Sequence, residues 1–213
     1  MQTVRLAIIG FGNVGQGLTQ ILNERAGAYA EKFGLRFIIV AVNDLVRGCA
    51  YHPEGLDGSA LLQAKDFSNL PGGKDGWDAL STITRSNADV VVELSFTNLQ
   101  TGQPAISHVR AAFESGKHLV TSNKGPVALQ YAELKALADS HNVQFGVEGT
   151  VMSGTPSLHL GMELLAGAGI TRVQGILNGT TNYILTQMEN GASYAEALAD
   201  AQARGYAEAD PTG

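Results

Sequence analysis

The sequence predicts an α/β protein in which a Rossmann-type, doubly wound parallel sheet is followed by the beginning of an α+β domain. Through the first 150 residues, short apolar runs alternate with segments whose apolar residues have helical spacing. Such alternation is typical of a parallel sheet with right-handed crossovers. A glycine-rich turn follows the first run, and after Val147 the chain becomes a loop rich in Gly, Ser and Thr. We therefore place a boundary near residue 150, between domains at 1–150 and 151–213.

Five apolar runs predict the strands, because each is short and bounded by glycine or polar residues. They lie at residues 4–9, 37–42, 88–94, 117–122 and 143–147. Helical spacing predicts helices in the connections, at residues 14–26, 76–86, 103–115 and 128–141. Residues 47–76 are rich in Gly, Pro and Asp, which predicts an irregular connection with one short helix at 59–65. Beyond the boundary, the pattern predicts a helix at 157–167, a strand at 170–178 and helices at 180–189 and 193–205.

The composition and the cysteine count indicate a soluble protein of the cytoplasm. Hydrophobic residues make up 44% of the chain, enough for a sizeable core, and the net charge of −6 argues against a nucleic-acid groove or an anionic membrane surface. The single cysteine, Cys49, excludes a disulfide within the chain and fits a reducing compartment. The apolar run near the N-terminus is too short for a signal sequence or a membrane span.

The glycine pattern Gly10-x-Gly12-x-x-Gly15 lies between a predicted strand and a predicted helix. In this context Gly10 permits a tight turn, Gly12 lets the backbone approach a pyrophosphate, and Gly15 lets helix and strand pack closely. The helix N-terminus then presents free N–H groups to the phosphates. The position at the first strand-to-helix turn predicts dinucleotide binding; the alternative is an empty structural turn of the same fold.

Two charges after the second strand leave the cofactor undecided between NAD and NADP. Asp44 can accept a hydrogen bond from a ribose 2′-hydroxyl, which favours NAD, whereas Arg47 can bind a 2′-phosphate, which favours NADP. Both residues are also compatible with an ordinary solvated loop. The sequence therefore leaves open whether the cofactor is NAD or NADP.

Polar residues follow two further strands, at the edge where ligands bind in open parallel sheets. Residues 95–98 (Ser-Phe-Thr-Asn) are suited to a ribose or a nicotinamide. Residues 122–126 contain Lys124, which can contact a carbonyl oxygen or relay a proton. The plainer interpretation of Lys124 is an exposed loop lysine.

Two later loops are also rich in polar groups. Glu148 precedes a Gly/Ser loop whose carbonyl oxygens suit a hard cation, although a satisfied loop between domains is the plainer explanation of the pattern. Residues 178–182 (Asn-Gly-Thr-Thr-Asn) precede a predicted helix, and a helix cap accounts for part of this run. The run is longer than a cap requires and can present hydroxyl and amide groups to a polar substrate.

Taken together, these motifs resemble the homoserine dehydrogenase family over essentially the whole chain. The segments that carry the resemblance are IIGFGNVG, VVELSFTNLQTGQPA, GKHLVTSNKGP, VEGTVMSGTPS, ILNGTTNYIL and GYAEADPTG. The resemblance implies an NAD(P)-dependent oxidoreductase that interconverts L-homoserine and L-aspartate 4-semialdehyde in threonine, methionine and isoleucine biosynthesis. It also implies that the second domain serves substrate binding and dimerisation, and that the complete protein is a homodimer.

The resemblance assigns roles to matched positions. The residues expected along the dinucleotide are Gly10, Phe11, Gly12, Asn13, Val14 and Gly15, with Ser95, Phe96, Thr97 and Ser122 on the ribose and nicotinamide side. Lys124 matches a lysine that contacts cofactor and substrate, and with Glu208 it forms the implied catalytic pair. The residues expected to line the substrate pocket are Thr180, Tyr206 and Glu208. A monovalent cation, sodium or potassium, is implied at Glu148 and the carbonyls of Val151, Ser153 and Thr155.

The sequence departs from the family pattern after the loop GYAEADPTG. In the family this loop leads into a segment with an aspartate and then a proton-transferring lysine, so we expect a fragment or a short relative that binds cofactor but turns over poorly. The two alternative functions are a non-catalytic dinucleotide-binding module and another amino-acid dehydrogenase of the same architecture.

Overall fold

The computed structural model describes residues 1–74 and 76–207. The chain divides into two compact units, Met1–Thr150 and a second unit that begins at Val151. No helix among these residues is both long and apolar enough to cross a membrane.

A six-stranded sheet forms the centre of the first unit, as described by residues 1–74 and 76–150. The strands are β1 (Gln2–Ile9), β2 (Leu35–Asp44), β3 (Gly48–Tyr51), β4 (Val90–Glu93), β5 (His118–Thr121) and β6 (Phe145–Gly146). Their order is β3-β2-β1-β4-β5-β6, and every neighbouring pair is parallel except β2 and β3, which are antiparallel. This order confirms the predicted doubly wound sheet.

Helices cover both faces of the sheet. Successive strand residues point to opposite faces, so the apolar residues of each strand pack against helices on both sides. The helices of this unit are α1 (Asn13–Glu24), α2 (Ala26–Phe33), α3 (Gly58–Gln63), α4 (Ala79–Arg85), α5 (Ala105–Glu114) and α6 (Lys124–Ser140). Ile8 packs in one apolar cluster with Leu61 of α3, and its neighbour Ile9 packs in another with Phe113 of α5 and Leu134 of α6. The core residues of both clusters are almost completely buried, so the sheet is packed against helices on both faces.

The connection at 47–76 is more ordered than its composition predicts. It contains β3, α3 and a 3-10 turn at Phe67–Asn69. The strand escapes sequence analysis because it has only four residues, and its buried members Cys49 and Ala50 are small. Helix α2 was not predicted either: it has only eight residues, and none of them is fully buried.

The second unit differs from its prediction in two places. The helix expected at 157–167 is broken into a short α7 (Ser157–His159), a π-helical turn (Leu160–Leu164) and a 3-10 turn (Ala166–Ala168). The strand expected at 170–178 does not form: these residues have no strand partner, and Val173 is 78% exposed. An apolar run becomes a strand only where a neighbouring strand accepts its backbone hydrogen bonds, and residues 151–207 provide none.

The ordered part of this unit is a helical pair, α8 (Gly179–Glu189) and α9 (Tyr194–Ala203). Ile184 of α8 packs against Ala197 and Ala201 of α9 in a small buried cluster. Ser193 and Glu196 form a capping box at the start of α9, which satisfies two backbone donors that otherwise lack partners.

Candidate functional site

The candidate site lies where the carboxyl ends of three neighbouring strands meet. Ile9 of β1, Glu93 of β4 and Thr121 of β5 are paired in register at the ends of their strands. Because β1 has β2 on one side and β4 on the other, the strand order reverses direction at β1. Ligands of open α/β sheets bind in the crevice at such a reversal.

Two glycines of the turn after β1 are required by the packing of the turn itself. Gly10 has a φ of +92°, and a Cβ atom at this position would lie 2.5 Å from the carbonyl oxygen of Leu94. A Cβ atom on Gly15 would lie 2.7 Å from the carbonyl oxygen of Gly10. Gly10 and Gly15 therefore let β1, α1 and the end of β4 approach one another closely.

Gly12 is different, because a Cβ atom there would meet nothing within 4 Å. Gly12 is the N-cap residue of α1, and no side chain caps the helix at this end. The next two residues, Asn13 and Val14, are exposed. The N-terminus of α1 therefore faces open space, which is the arrangement that receives phosphate groups at a helix N-terminus.

Phe11 contributes its backbone to the turn and its side chain to the core. The ring is 1% exposed and packs edge to face on Phe67, with the ring centroids 5.2 Å apart. Its amide N–H donates to Oδ2 of Asp44 at 2.8 Å. The side chain of Phe11 is thus not free to contact a dinucleotide.

Asp44 ties the end of β2 to the glycine turn. Besides Phe11, the amides of Val46 and Arg47 donate to its carboxylate, at 3.0 and 3.1 Å. Burial acts to raise the pKa of Asp44, but these three hydrogen bonds and the charge of Arg47 outweigh it, so the pKa lies below its ordinary value. A negative charge is therefore held beside the turn.

The guanidinium of Arg47 lies against the protein, and the residue is partly buried. It donates to the carbonyl of Ala64 at 3.2 Å and lies 5.7 Å from the centroid of the Phe11 ring. Leu45 and Val46, by contrast, are 98% and 90% exposed. The tip of the β2–β3 hairpin thus presents apolar side chains rather than a free cation.

Residues 95–97, in the loop after β4, have three different environments. The Ser95 hydroxyl donates to Glu93, and Phe96 is 78% exposed. The Thr97 hydroxyl is buried without a hydrogen-bond partner, one of two such side-chain atoms among residues 1–74 and 76–207. A buried hydroxyl without a partner is costly unless a ligand satisfies it, so Thr97 fits a polar group of a bound molecule.

Lys124 begins α6, directly after β5. Its side chain is exposed, whereas the neighbouring Ser122 is partly buried and packs near Gly149. Asn123 is the N-cap of α6 but its amide does not cap the helix. It donates to Glu93 Oε2 and to the carbonyl of Ser95 instead, at 2.5 and 2.7 Å.

Sequence analysis missed Glu93, His108 and Asn123, which form the best-connected polar group at this edge. A glutamate inside the apolar run VVVEL is not marked as functional by any local pattern. Only the register of β4 against β1 and β5 shows that its carboxylate lies at the carboxyl end of the sheet.

In the second unit, two predicted substrate residues are neighbours. The Thr180 hydroxyl donates to the carbonyl of Tyr206, and the Tyr206 ring lies 4.9 Å from the ring of Tyr183. The hydroxyl of Tyr183 donates to Asp200 of α9, which Arg204 also binds at 3.0 Å. Glu208, the third predicted substrate residue, lies outside the described residues.

The predicted cation residues belong to different parts of the chain. Glu148 begins a 3-10 turn at the end of the first unit. In the second unit, the carbonyl of Val151 accepts from the Ser157 hydroxyl at 3.4 Å and that of Thr155 accepts from the Ser157 amide at 2.7 Å. Ser153 has a φ of +54°. Among the described residues, no cluster of three or more His, Cys, Asp or Glu side chains is arranged for a metal.

Comparison with known proteins identifies the family. Residues 10–148 match the family described as homoserine dehydrogenase, NAD binding domain, and residues 156–213 match homoserine dehydrogenase. The chain is 48% identical to an NAD(+)-dependent homoserine dehydrogenase of Pseudomonas canavaninivorans, covering 100% of this chain and 61% of that protein. It is 41% identical to the homoserine dehydrogenase of Methanocaldococcus jannaschii, covering 97% and 62%.

A solved structure gives the same result. A hyperthermophilic archaeal homoserine dehydrogenase in complex with NADPH superposes with a TM-score of 0.82 at 27% identity, covering 99% of this chain and 64% of the other. The chain thus spans about three fifths of the length of the curated relatives it matches. On the match to the NAD-binding family over most of its length, the chain belongs to the homoserine dehydrogenase family.

Proposed function

We propose that this chain binds a nicotinamide dinucleotide and is the cofactor-binding part of an enzyme that interconverts L-homoserine and L-aspartate 4-semialdehyde. The observation that carries the proposal is the open face of the turn at Gly12, between two glycines that the packing requires. An empty structural turn has no need of a glycine at position 12, because a side chain has free space there. A site for a phosphate group does need one.

The residues of the chain supply orientation and charge in the proposed reaction. When bound, the nicotinamide accepts or donates the hydride that the C4 carbon of the substrate loses or gains. Backbone amides at the start of α1 would hold the pyrophosphate, and the Thr97 hydroxyl, which is buried without a partner, would be a donor for the nicotinamide half. Lys124 would present its ammonium to the reacting oxygen, and the hydroxyl proton of homoserine would pass to water as the hydride leaves the C4 carbon.

The second unit supplies the substrate contacts in this proposal. Thr180 and Tyr206 are held together by the hydrogen bond from the hydroxyl to the backbone carbonyl. Glu208 follows Tyr206 by two residues, and its carboxylate is a suitable partner for the substrate ammonium. We infer that this segment recognises the amino-acid end of homoserine, while the hydride leaves from the other end.

We further infer a preference for NAD over NADP. The carboxylate of Asp44 lies beside the glycine turn, with a lowered pKa that keeps it charged at neutral pH. A charged carboxylate accepts from a ribose 2′-hydroxyl and repels a 2′-phosphate. Arg47, the residue that would favour NADP, already donates to the Ala64 carbonyl and lies over the Phe11 ring.

Replacing Asp44 by asparagine should shift the cofactor preference toward NADPH by about tenfold, because the repulsion of the 2′-phosphate is removed while the side-chain shape is kept. Dissociation constants for NADH and NADPH are measured by fluorescence titration on both proteins. Damage to the turn itself weakens the binding of both cofactors alike, so the ratio of the two dissociation constants is the quantity that tests the role of Asp44. An unchanged ratio contradicts the role of Asp44.

We propose a monovalent cation at Glu148 and the carbonyls of residues 151, 153 and 155, since these carbonyls lie outside regular helices and strands and each retains a lone pair for a ligand. Thermal unfolding in sodium, potassium and choline chloride of equal ionic strength tests it. A bound ion raises the melting temperature in sodium or potassium by mass action, and the Glu148→Gln variant should lose that difference. Equal melting temperatures in all three salts for the unmodified chain contradict the site.

The proposed function itself is tested by titrating the chain with NADH in the presence and absence of homoserine. We expect a dissociation constant between about 1 µM and 1 mM, and a change in that constant when homoserine is present. Binding of NADH without any effect of homoserine indicates a dinucleotide-binding module, the second candidate. No binding of NADH overturns both.

A further inference from the structure

We propose that Glu93 and His108 are positioning residues that hold the nicotinamide side of the site in its binding conformation. This inference rests on the proposed function, because it assumes that a nicotinamide dinucleotide binds at the carboxyl edge of the sheet. Neither residue needs to touch the cofactor. Both act through the two loops that they connect, after β4 and before α6.

The first argument is burial. Glu93 is 0% exposed and His108 is 5% exposed. Removing a carboxylate from water is unfavourable unless several donors replace the lost hydration. An apolar residue of similar size at the end of this strand would often give the same or a higher stability. We therefore explain the buried carboxylate of Glu93 by the groups that it holds in place.

The second argument is the number and origin of its donors. Oε1 accepts from the Ser95 amide at 3.2 Å and from the Ser95 hydroxyl, and it lies 3.2 Å from Nδ1 of His108. Oε2 accepts from Asn123 Nδ2 at 2.5 Å and from the Thr121 hydroxyl at 3.3 Å. One carboxylate thus joins the loop after β4, the end of β5 and the start of α6.

The third argument is that Asn123 leaves its ordinary role to join this group. Asparagine is among the preferred N-cap residues, because its side chain accepts from backbone N–H groups of the first turn. Here the side-chain amide points instead to Glu93 and to the carbonyl of Ser95, and α6 begins without a side-chain cap. The bond that fixes the two loops is kept in place of the bond that stabilises the helix.

The consequence is a fixed position for the residues that flank the nicotinamide in the proposed function. Ser95 bonds to Glu93 directly, and Lys124 is the residue next to Asn123. His108, a buried residue of the helix α5, contacts the group from the helix side. When Nδ1 of His108 carries a proton, it donates to Oε1 and completes the set of donors around the carboxylate.

The test compares NADH with ADP-ribose, which has the same adenosine and pyrophosphate but no nicotinamide. Glu93→Gln places an amide N–H₂ at one of the two oxygen positions, so either the Asn123 amide or the two Ser95 donors lose their acceptor. We expect the affinity for NADH, relative to that for ADP-ribose, to fall about tenfold, with ADP-ribose itself bound within about twofold of the unmodified chain. Both dissociation constants are measured by calorimetry, on variants whose fold is verified by circular dichroism.

A matched control comes from the opposite edge of the sheet. Lys117 is also buried and donates to the carbonyls of Ser86 and Ala88 at 2.7 and 3.2 Å, at the start of β5. Lys117→Met removes buried hydrogen bonds of the same unit without touching the site, so the ratio of the two affinities should not change. If Glu93→Gln lowers the affinities for NADH and ADP-ribose equally, or lowers neither, the positioning role is overturned.

Asn123→Ala keeps the proposal testable if Glu93→Gln does not fold, since it removes one donor and leaves the carboxylate with the others. We expect the NADH-to-ADP-ribose ratio to fall about fivefold in this variant, and an unchanged ratio overturns the proposal. Failure of the proposed function looks different: the unmodified chain then binds neither ligand.

Discussion

Replacing Gly12 by aspartate is expected to abolish dinucleotide binding while leaving the fold as stable as before. The Cβ atom meets nothing within 4 Å, and Gly12 has the extended backbone (φ −73°, ψ −158°) that any residue adopts. Aspartate is also a preferred N-cap residue, so the free energy of unfolding should stay the same or rise by a few tenths of a kcal/mol. The same carboxylate occupies the space and the positive potential that the pyrophosphate needs.

We expect the dissociation constant for NADH to rise at least about 100-fold, which corresponds to about 2.7 kcal/mol of binding free energy. Calorimetry measures binding, and urea denaturation measures stability. Gly12→Asn is the matched control, because it has the same shape and caps the helix without a charge, so its loss of affinity should be clearly smaller. Strong NADH binding by the Gly12→Asp variant contradicts the proposed phosphate site.

The sequence alone predicts the centre of the fold and the turn because both depend on local patterns. Buried strands of a parallel sheet appear as short apolar runs, and the glycines of the turn have a fixed spacing between a strand and a helix. The spacing predicts that Gly12 lets the backbone approach a pyrophosphate, and a Cβ atom at this position would meet nothing within 4 Å.

What sequence analysis missed depends on contacts between distant residues. Glu93 and Asn123 are 30 residues apart and meet only because β4 and β5 are neighbours. The buried face of β3 is set by its pairing with β2, and α2 is a short helix without a fully buried residue. Residues 170–178 show the opposite error: their apolar run has the composition of a strand, but strand formation needs a partner that the described residues do not provide.

The polar residues of the candidate site also fall into those predicted from local patterns and those that depend on contacts between distant residues. Thr97 and Lys124 are predicted from their position, because polar residues after buried strands lie at the ligand edge of the sheet. That Arg47 turns inward onto Phe11, and that the Asp44 carboxylate binds three backbone amides, follows from side-chain packing that no spacing encodes. The choice between NAD and NADP therefore becomes arguable only with the structure.

Replacing Gly10 by alanine is expected to have the opposite effect to the Gly12 substitution: it should destabilise the fold. At a φ of +92°, an L-residue is strained by roughly 1–2 kcal/mol, and the Cβ atom would lie 2.5 Å from the Leu94 carbonyl oxygen and 2.7 Å from the Ser95 amide nitrogen. These atoms belong to the backbone at the end of β4, which is held by the core on both faces and cannot move aside cheaply. We expect a loss of about 3–5 kcal/mol in the free energy of unfolding.

Urea denaturation followed by tryptophan fluorescence measures this loss, because the single tryptophan, Trp77, is in the first unit and stacks on Tyr51 of β3. With a urea slope of about 2–3 kcal/mol/M, the midpoint should fall by more than 1 M. Gly17→Ala is the control: Gly17 is within α1, its Cβ atom would meet nothing within 4 Å, and alanine there should stabilise the helix by up to about 1 kcal/mol. If Gly10→Ala shifts the midpoint no further than Gly17→Ala does, then β1 and β4 do not approach as closely at this turn as the argument for the dinucleotide site requires.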